Sequence, residues 1–128
     1  MNKLNYIVSA IYHGIDKRVS NDTPYFNTLM LIYFIVFFHL VHVVIILKIY
    51  DINVLQYFTK AQILILILLL CMIVMFLLWK IFPKENIINI EVSQKDINKF
   101  YYGIVIYLLC SISFMMLLLI NLKQKLGM

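Results

Sequence analysis

Long uncharged apolar runs alternate with short polar segments along this chain, and the alternation predicts its elements. Residues 1–19 come first. Leu4, Ile7, Val8, Ile11, Tyr12 and Ile15 recur at helical spacing and fall within one sector at 100° per residue. Asn2, Asn5, Ser9, His13, Asp16 and Lys17 occupy the opposite sector. The segment is too short in apolar residues to span a bilayer. It predicts an amphipathic helix lying flat in the membrane interface. It has neither the apolar core nor the small-residue cleavage site of a secretory signal.

Ser20-Asn21-Asp22-Thr23-Pro24 interrupts that periodicity. Thr23 suits a helix N-cap and Pro24 suits the first helical position, where a missing N–H costs nothing. Residues 24–48 form the first predicted span, uncharged from Tyr25 to Leu47. About 20 residues of helix cross the hydrocarbon layer. A short loop with Tyr50, Asp51 and Tyr57 leads to the second span, residues 61–82, bracketed by Lys60 and Lys80 and closed by Pro83. Residues 83–99 are the longest polar stretch. The weak alternation from Ile87 to Val92 predicts an extended segment there. Ser93, three residues before Asp96, has the spacing of a helix N-cap, so a third helix is expected from Gln94. Its apolar part, residues 100–122, is the third span. The fold class is therefore an all-α integral membrane protein: an N-terminal interfacial amphipathic helix followed by three transmembrane helices, in one membrane domain.

Composition supports this reading. Hydrophobic residues make up 64% of the 128 positions and charged residues 13%. A soluble core of this size could not hide that much apolar surface. The heavy use of Ile, Asn and Lys, with one Arg against ten Lys, matches the codon usage of an AT-rich genome.

The net charge of +5 lies beside the apolar spans, which points to anionic lipid headgroups and away from nucleic acid. Lys3, Lys17, Arg18, Lys80, Lys84, Lys95 and Lys99 fall on one side of a three-span topology, and Lys48, Lys60, Lys123 and Lys125 on the other. Seven against four predicts a cytoplasmic N-terminus and an outward C-terminus in the inner (plasma) membrane. Tyr25, Phe26, Trp79, Phe82 and Phe100 to Tyr102 fit an aromatic belt on the inner face.

Polar groups inside hydrocarbon are costly and mark candidate sites. The spans carry no Asp, Glu, Lys or Arg near mid-membrane, so neither a proton relay nor acid–base catalysis is expected there. His39 and His42, at i and i+3, share a face of the first span with Thr28. With Ser111 in the third span, they are the candidate intramembrane polar contacts or pore lining. Cys71 and Cys110 lie at similar depth, but nothing in their spacing demands a metal or haem site, and no cofactor is expected. Met72, Met75, Met115 and Met116 read as packing residues. Ser111 and Ser113 have no His or carboxylate near them in sequence, so no serine nucleophile is expected. In the third span, Gly103, Tyr107, Cys110, Ser111 and Phe114 share one broad face that suits helix packing or dimerisation.

These features lead to a non-enzymatic accessory protein that binds a partner in or at the membrane, as a complex subunit or an immunity-type protein. The alternative is a homo-oligomeric pore. Three spans cannot enclose a channel alone, so that reading requires a ring of copies.

Overall fold

The computed structural model describes residues 2–18, 23–50 and 54–127. The break at Ser20–Asp22 and the loop residue Asp51 lie outside them. The described residues form α1 (Lys3–Arg18), α2 (Pro24–Ile49), α3 (Lys60–Ile81), α4 (Lys84–Ile88) and α5 (Gln94–Lys125), with a single 3₁₀ turn, Val54–Tyr57, before α3. No strand occurs among them. Three of the helices, α2, α3 and α5, are long and apolar enough to cross a membrane. At 1.5 Å per residue they run about 39, 33 and 48 Å, against the roughly 30 Å needed.

The helix ends follow local chemistry. α2 opens with Pro24 at its first turn, as expected. Thr23 stands at the N-cap but its side chain accepts no cap bond, so its value there is positional only. α3 opens with a capping box. Thr59 Oγ1 accepts from the Gln62 N–H at 3.3 Å, and Gln62 Oε1 accepts from the Thr59 N–H at 2.9 Å. α3 ends just before Pro83. α5 begins at Gln94, with Ser93 Oγ accepting from the Asp96 N–H at 3.2 Å. The extended segment expected from Ile87 to Val92 is not observed in its first part. Lys84–Ile88 is a short helix, and Ile87 is fully buried. Helical turning carries the polar Lys84, Glu85 and Asn86 outward while Ile87 points in.

α2 is the central helix. It packs against α3 and against α5, and α1 packs across α2, α4 and α5. Lys125 near the end of α5 donates to the Ile49 carbonyl at the end of α2, so α2 and α5 run parallel. The core sits at the opposite end. There Val8 and Tyr12 of α1 meet Leu29 of α2, Leu78 and Phe82 at the end of α3, and Ile87 of α4. Away from that end little is enclosed. Leu78 is the one buried residue of α3, and Leu64 to Leu70 are all exposed around the helix. An apolar helix uncovered on nearly every side suits lipid contact.

The apolar sector of α1 is covered largely by the protein's own helices. Val8, Ile11, Tyr12 and Ile15 are buried against the protein's own helices, and only Leu4 of the apolar sector is exposed. Ser9, assigned to the polar sector, is fully buried. It tolerates burial because its hydroxyl reaches a backbone carbonyl of α4.

Candidate functional site

Two polar clusters stand out. The first lies between α2 and α5, within the apolar spans. His39 and His42 face α5, where Tyr107, Ser111 and Phe114 stand one helical turn apart. The Tyr107 hydroxyl donates to His39 Nε2, and His39 Nδ1 donates to the Ile35 carbonyl at 2.7 Å. Those partners assign the imidazole proton to Nδ1. The two rings are parallel within 2°, with centroids 5.8 Å apart. His42 is buried, and its Nε2 donates to the Ser111 carbonyl at 3.2 Å. Phe38 meets the His42 ring edge-on at 5.4 Å, and Phe114 lies tilted at 5.5 Å. The His39 ring completes this enclosure at 5.8 Å.

The structure thus brings together three of the four residues singled out from sequence. Ser111 takes part through its backbone carbonyl. Thr28 does not join them. It is fully buried, its hydroxyl donates to the Pro24 carbonyl at 2.8 Å, and it lies about 16 Å down the helix axis from His39. Its bond is the ordinary return of a threonine to its own helix. Cys71 sits in the groove between α2 and α3 with Tyr33, Val36, Phe37 and Leu70, away from the histidines. Cys110 is exposed on α5. Among the described residues no three His, Cys, Asp or Glu side chains are grouped to hold a metal. Sequence reasoning placed Tyr107 on the right face of α5 but gave it no partner.

The second cluster joins α1 to the polar stretch of residues 83–99, and sequence reasoning did not foresee it. Ser9 Oγ donates to the Ile87 carbonyl at 2.6 Å and lies 3.4 Å from the Ile90 carbonyl. His13 Nε2 donates to that same Ile90 carbonyl at 3.1 Å. These bonds satisfy the Ile87 carbonyl in the last turn of α4 and the Ile90 carbonyl in the segment that follows it. The Tyr6 hydroxyl donates to Asp96 Oδ2 at 2.7 Å, Lys17 donates to Gln94, and Arg18 Nη2 donates to Asn98 Oδ1 at 2.6 Å. Across the core, the Tyr25 hydroxyl donates to the Phe82 carbonyl at 2.6 Å. The Asp96 carboxylate accepts the Tyr6 proton and so raises the Tyr6 pKa above its ordinary value, with partial desolvation adding to the effect. Burial, then the Asp16 charge, raises Tyr12.

Close approach of α1 and α5 depends on Gly14. A Cβ at that position would lie 2.9 Å from Tyr101 Cδ2 and 3.2 Å from Tyr101 Cβ. Beside this seam an open groove runs between α1 and α4, lined by Asn2, Asn5, Glu85, Asn86, Asn89 and Ile90.

Comparison of the chain with protein-family models, with curated proteins and with solved structures finds no significant match.

Proposed function

We propose that this protein is a small non-enzymatic accessory protein of the inner membrane, which binds a protein partner in or at the bilayer as a complex subunit or an immunity-type protein. One observation carries the reading. The two histidines within the spans are closed onto the protein's own helices: His39 onto Tyr107 and Ile35, His42 onto the Ser111 carbonyl. A residue that conducts or catalyses must offer its polar atoms to water or substrate. What remains for a partner is the lateral surface of α3 and the polar headpiece of α1 and α4. In this reading α1 lies at the headgroup level, docked on the bundle. The seven-to-four split of basic residues supports a cytoplasmic N-terminus and α4 and an outward C-terminus. Anionic headgroups complement the basic side.

A second reading has one observation in its favour. His39 is exposed at the surface of the protomer, so in a ring of copies it could border a water-filled path. Planar-bilayer recording from folded, oligomeric protein separates the two. The accessory reading expects no current at any pH. A current whose ion selectivity changes with pH, and loses that change in the His39→Ala/His42→Ala variant, refutes it in favour of a pore.

A further inference from the structure

α1 ends where α5 turns from polar to apolar. Arg18, its last residue, holds its guanidinium 4.4 Å from the centre of the Tyr101 ring and 5.2 Å from that of Tyr102. Among the described residues its partners are these two rings and the Asn98 amide oxygen, all uncharged, so the positive charge is positioned without being cancelled. Asn98 occupies one arm of the guanidinium fork. The fork has five donors in a plane and fits the paired oxygens of a phosphate.

Other cations gather at the same level. Lys95 and Lys99 stand at i and i+4 on α5, followed by Tyr102 at i+7, so they share the face that carries the Tyr102 ring. Both are exposed, and Lys99 Nζ lies 5.7 Å from the centre of the Phe100 ring. Lys17 joins through Gln94, which itself donates to Asn98 at 3.2 Å. The nearby carboxylates are Asp16, which is exposed, Asp96, which accepts from Tyr6 and feels the charges of Lys99 and Lys95, and Glu91, which lines one groove with Lys17. Four cations outnumber three carboxylates. The rings of Phe100, Tyr101 and Tyr102 open directly onto the third span, so a ligand here meets cations on the polar side and apolar surface on the other. A free phosphate would use only the cations. An acyl chain with a phosphate headgroup uses both.

We propose that Arg18, Lys95 and Lys99, above Tyr101 and Tyr102, form a binding site for the headgroup of an anionic phospholipid, which clamps the end of α1 to α5. The site rests on the membrane placement proposed above.

The test uses the full chain reconstituted in nanodiscs of phosphatidylcholine, alone or mixed equally with phosphatidylglycerol. Lipid retained after detergent release is counted by native mass spectrometry. Phosphatidylglycerol is expected to be retained at least about tenfold over phosphatidylcholine, since each basic residue near an anionic surface contributes roughly fivefold. Arg18→Gln and Lys99→Gln should each lower that retention about fivefold. Lys48→Gln, at the far end of α2, should leave it unchanged. Lys99 donates no hydrogen bond to α1 and its charge reaches that helix only through Asp96, so its variant reads the site even if Arg18→Gln loosens the helix. Equal retention of the two lipids, or an equal loss in Lys48→Gln, overturns the site. So does glycerophosphate that protects Arg18 and Lys99 from chemical modification in pure phosphatidylcholine as well as phosphatidylglycerol does. Carbonate extraction separates the two levels of the idea. A chain washed off vesicles refutes membrane placement and the site with it. A chain that stays but shows no lipid preference refutes the site alone.

Discussion

Replacing Gly14 with Ala sets two effects of known size against each other. In a helix interior the change gains about 0.5–1 kcal/mol, because glycine loses more backbone freedom on folding. Against that, the new methyl group would lie 2.9 Å from Tyr101 Cδ2, 3.2 Å from Cβ and 3.3 Å from Cγ. The ring edge can swing aside. Tyr101 Cβ cannot, because it is fixed to the α5 backbone, so the two helices must separate by a few tenths of an ångström. Overpacking of this kind costs about 1–3 kcal/mol. Swinging the ring also weakens its contact with Arg18, which is worth about 0.5–1 kcal/mol at an exposed site. The sum favours loosening by about 1 kcal/mol, or roughly fivefold more of the state in which α1 is undocked. Amide hydrogen exchange along α1, measured in nanodiscs, reads that population. Exchange should quicken along α1 and stay unchanged at mid-membrane in α2. Placing Gly14→Ala in a Tyr101→Ala background removes the ring atoms and leaves only the 3.2 Å contact, so the helix-forming gain should then dominate. Slower exchange in the single Gly14→Ala variant, with Tyr101 intact, would refute the packing argument.

Other perturbations test other parts of the fold. Thr59→Ala should remove the capping box of α3 at a cost of about 1 kcal/mol, seen as faster exchange confined to the first turn of that helix. Tyr6 has its pKa raised by Asp96 above an ordinary value of 10.0. Its contribution to docking is therefore complete below about pH 10 and lost as pH rises through the raised value. Tyr6→Phe should abolish the alkaline rise in protease sensitivity of α1 that follows this titration, and ultraviolet titration should lose one high-pH tyrosinate. Reporter fusions near Lys84 and at the C-terminus should report opposite sides of the membrane; matching sides would rule out the three-span topology.

Sequence pattern reveals the elements of this protein far better than their neighbours. The three long helices are visible because each span is an uncharged run, and their ends are visible where a side chain performs the capping, as Ser93 does for Asp96. Thr59 and Gln62 carry the same kind of signal, hidden behind a boundary drawn at Lys60. The segment from Ile87 to Val92 is too short for its period to distinguish strand from helix. The apolar sector of α1 is equally legible, but a hydrophobic stripe does not say whether lipid or protein will cover it. Ser9 decides the matter through a carbonyl 78 positions away. The same limit applies inside the bilayer. The i, i+3 spacing puts His39 and His42 on one face, yet α3 and α5 are apolar nearly all round, so periodicity cannot say which of them that face will meet. Tyr107 and Ser111 become their partners through the rotation and lateral order of the helices.

That pairing yields the sharpest distinction among the intramembrane groups. Hydrogen bonds between membrane helices are worth about 0.6 kcal/mol on average and rarely exceed about 1.7. The bond from Tyr107 to His39 has a feature that should keep it near or above the mean. The Ile35 carbonyl holds the proton on Nδ1, so Nε2 is left as a lone pair aimed at the Tyr107 hydroxyl. Tyr107→Phe leaves that lone pair without a donor, and His39→Ala leaves the hydroxyl without an acceptor. A double-mutant cycle on reversible unfolding in mixed micelles should therefore give a coupling of about 0.5–1 kcal/mol. His42 behaves differently, because its partner at position 111 is a carbonyl that every side chain retains. His42→Ala should cost stability through lost packing with Phe38 and Phe114, whereas Ser111→Ala should change it by less than about 0.5 kcal/mol. A large loss in Ser111→Ala would mean that the hydroxyl meets a group outside this protomer, in a second copy or a partner. A coupling near zero between His39 and Tyr107 would remove the ground for treating the histidines as closed onto their own bundle.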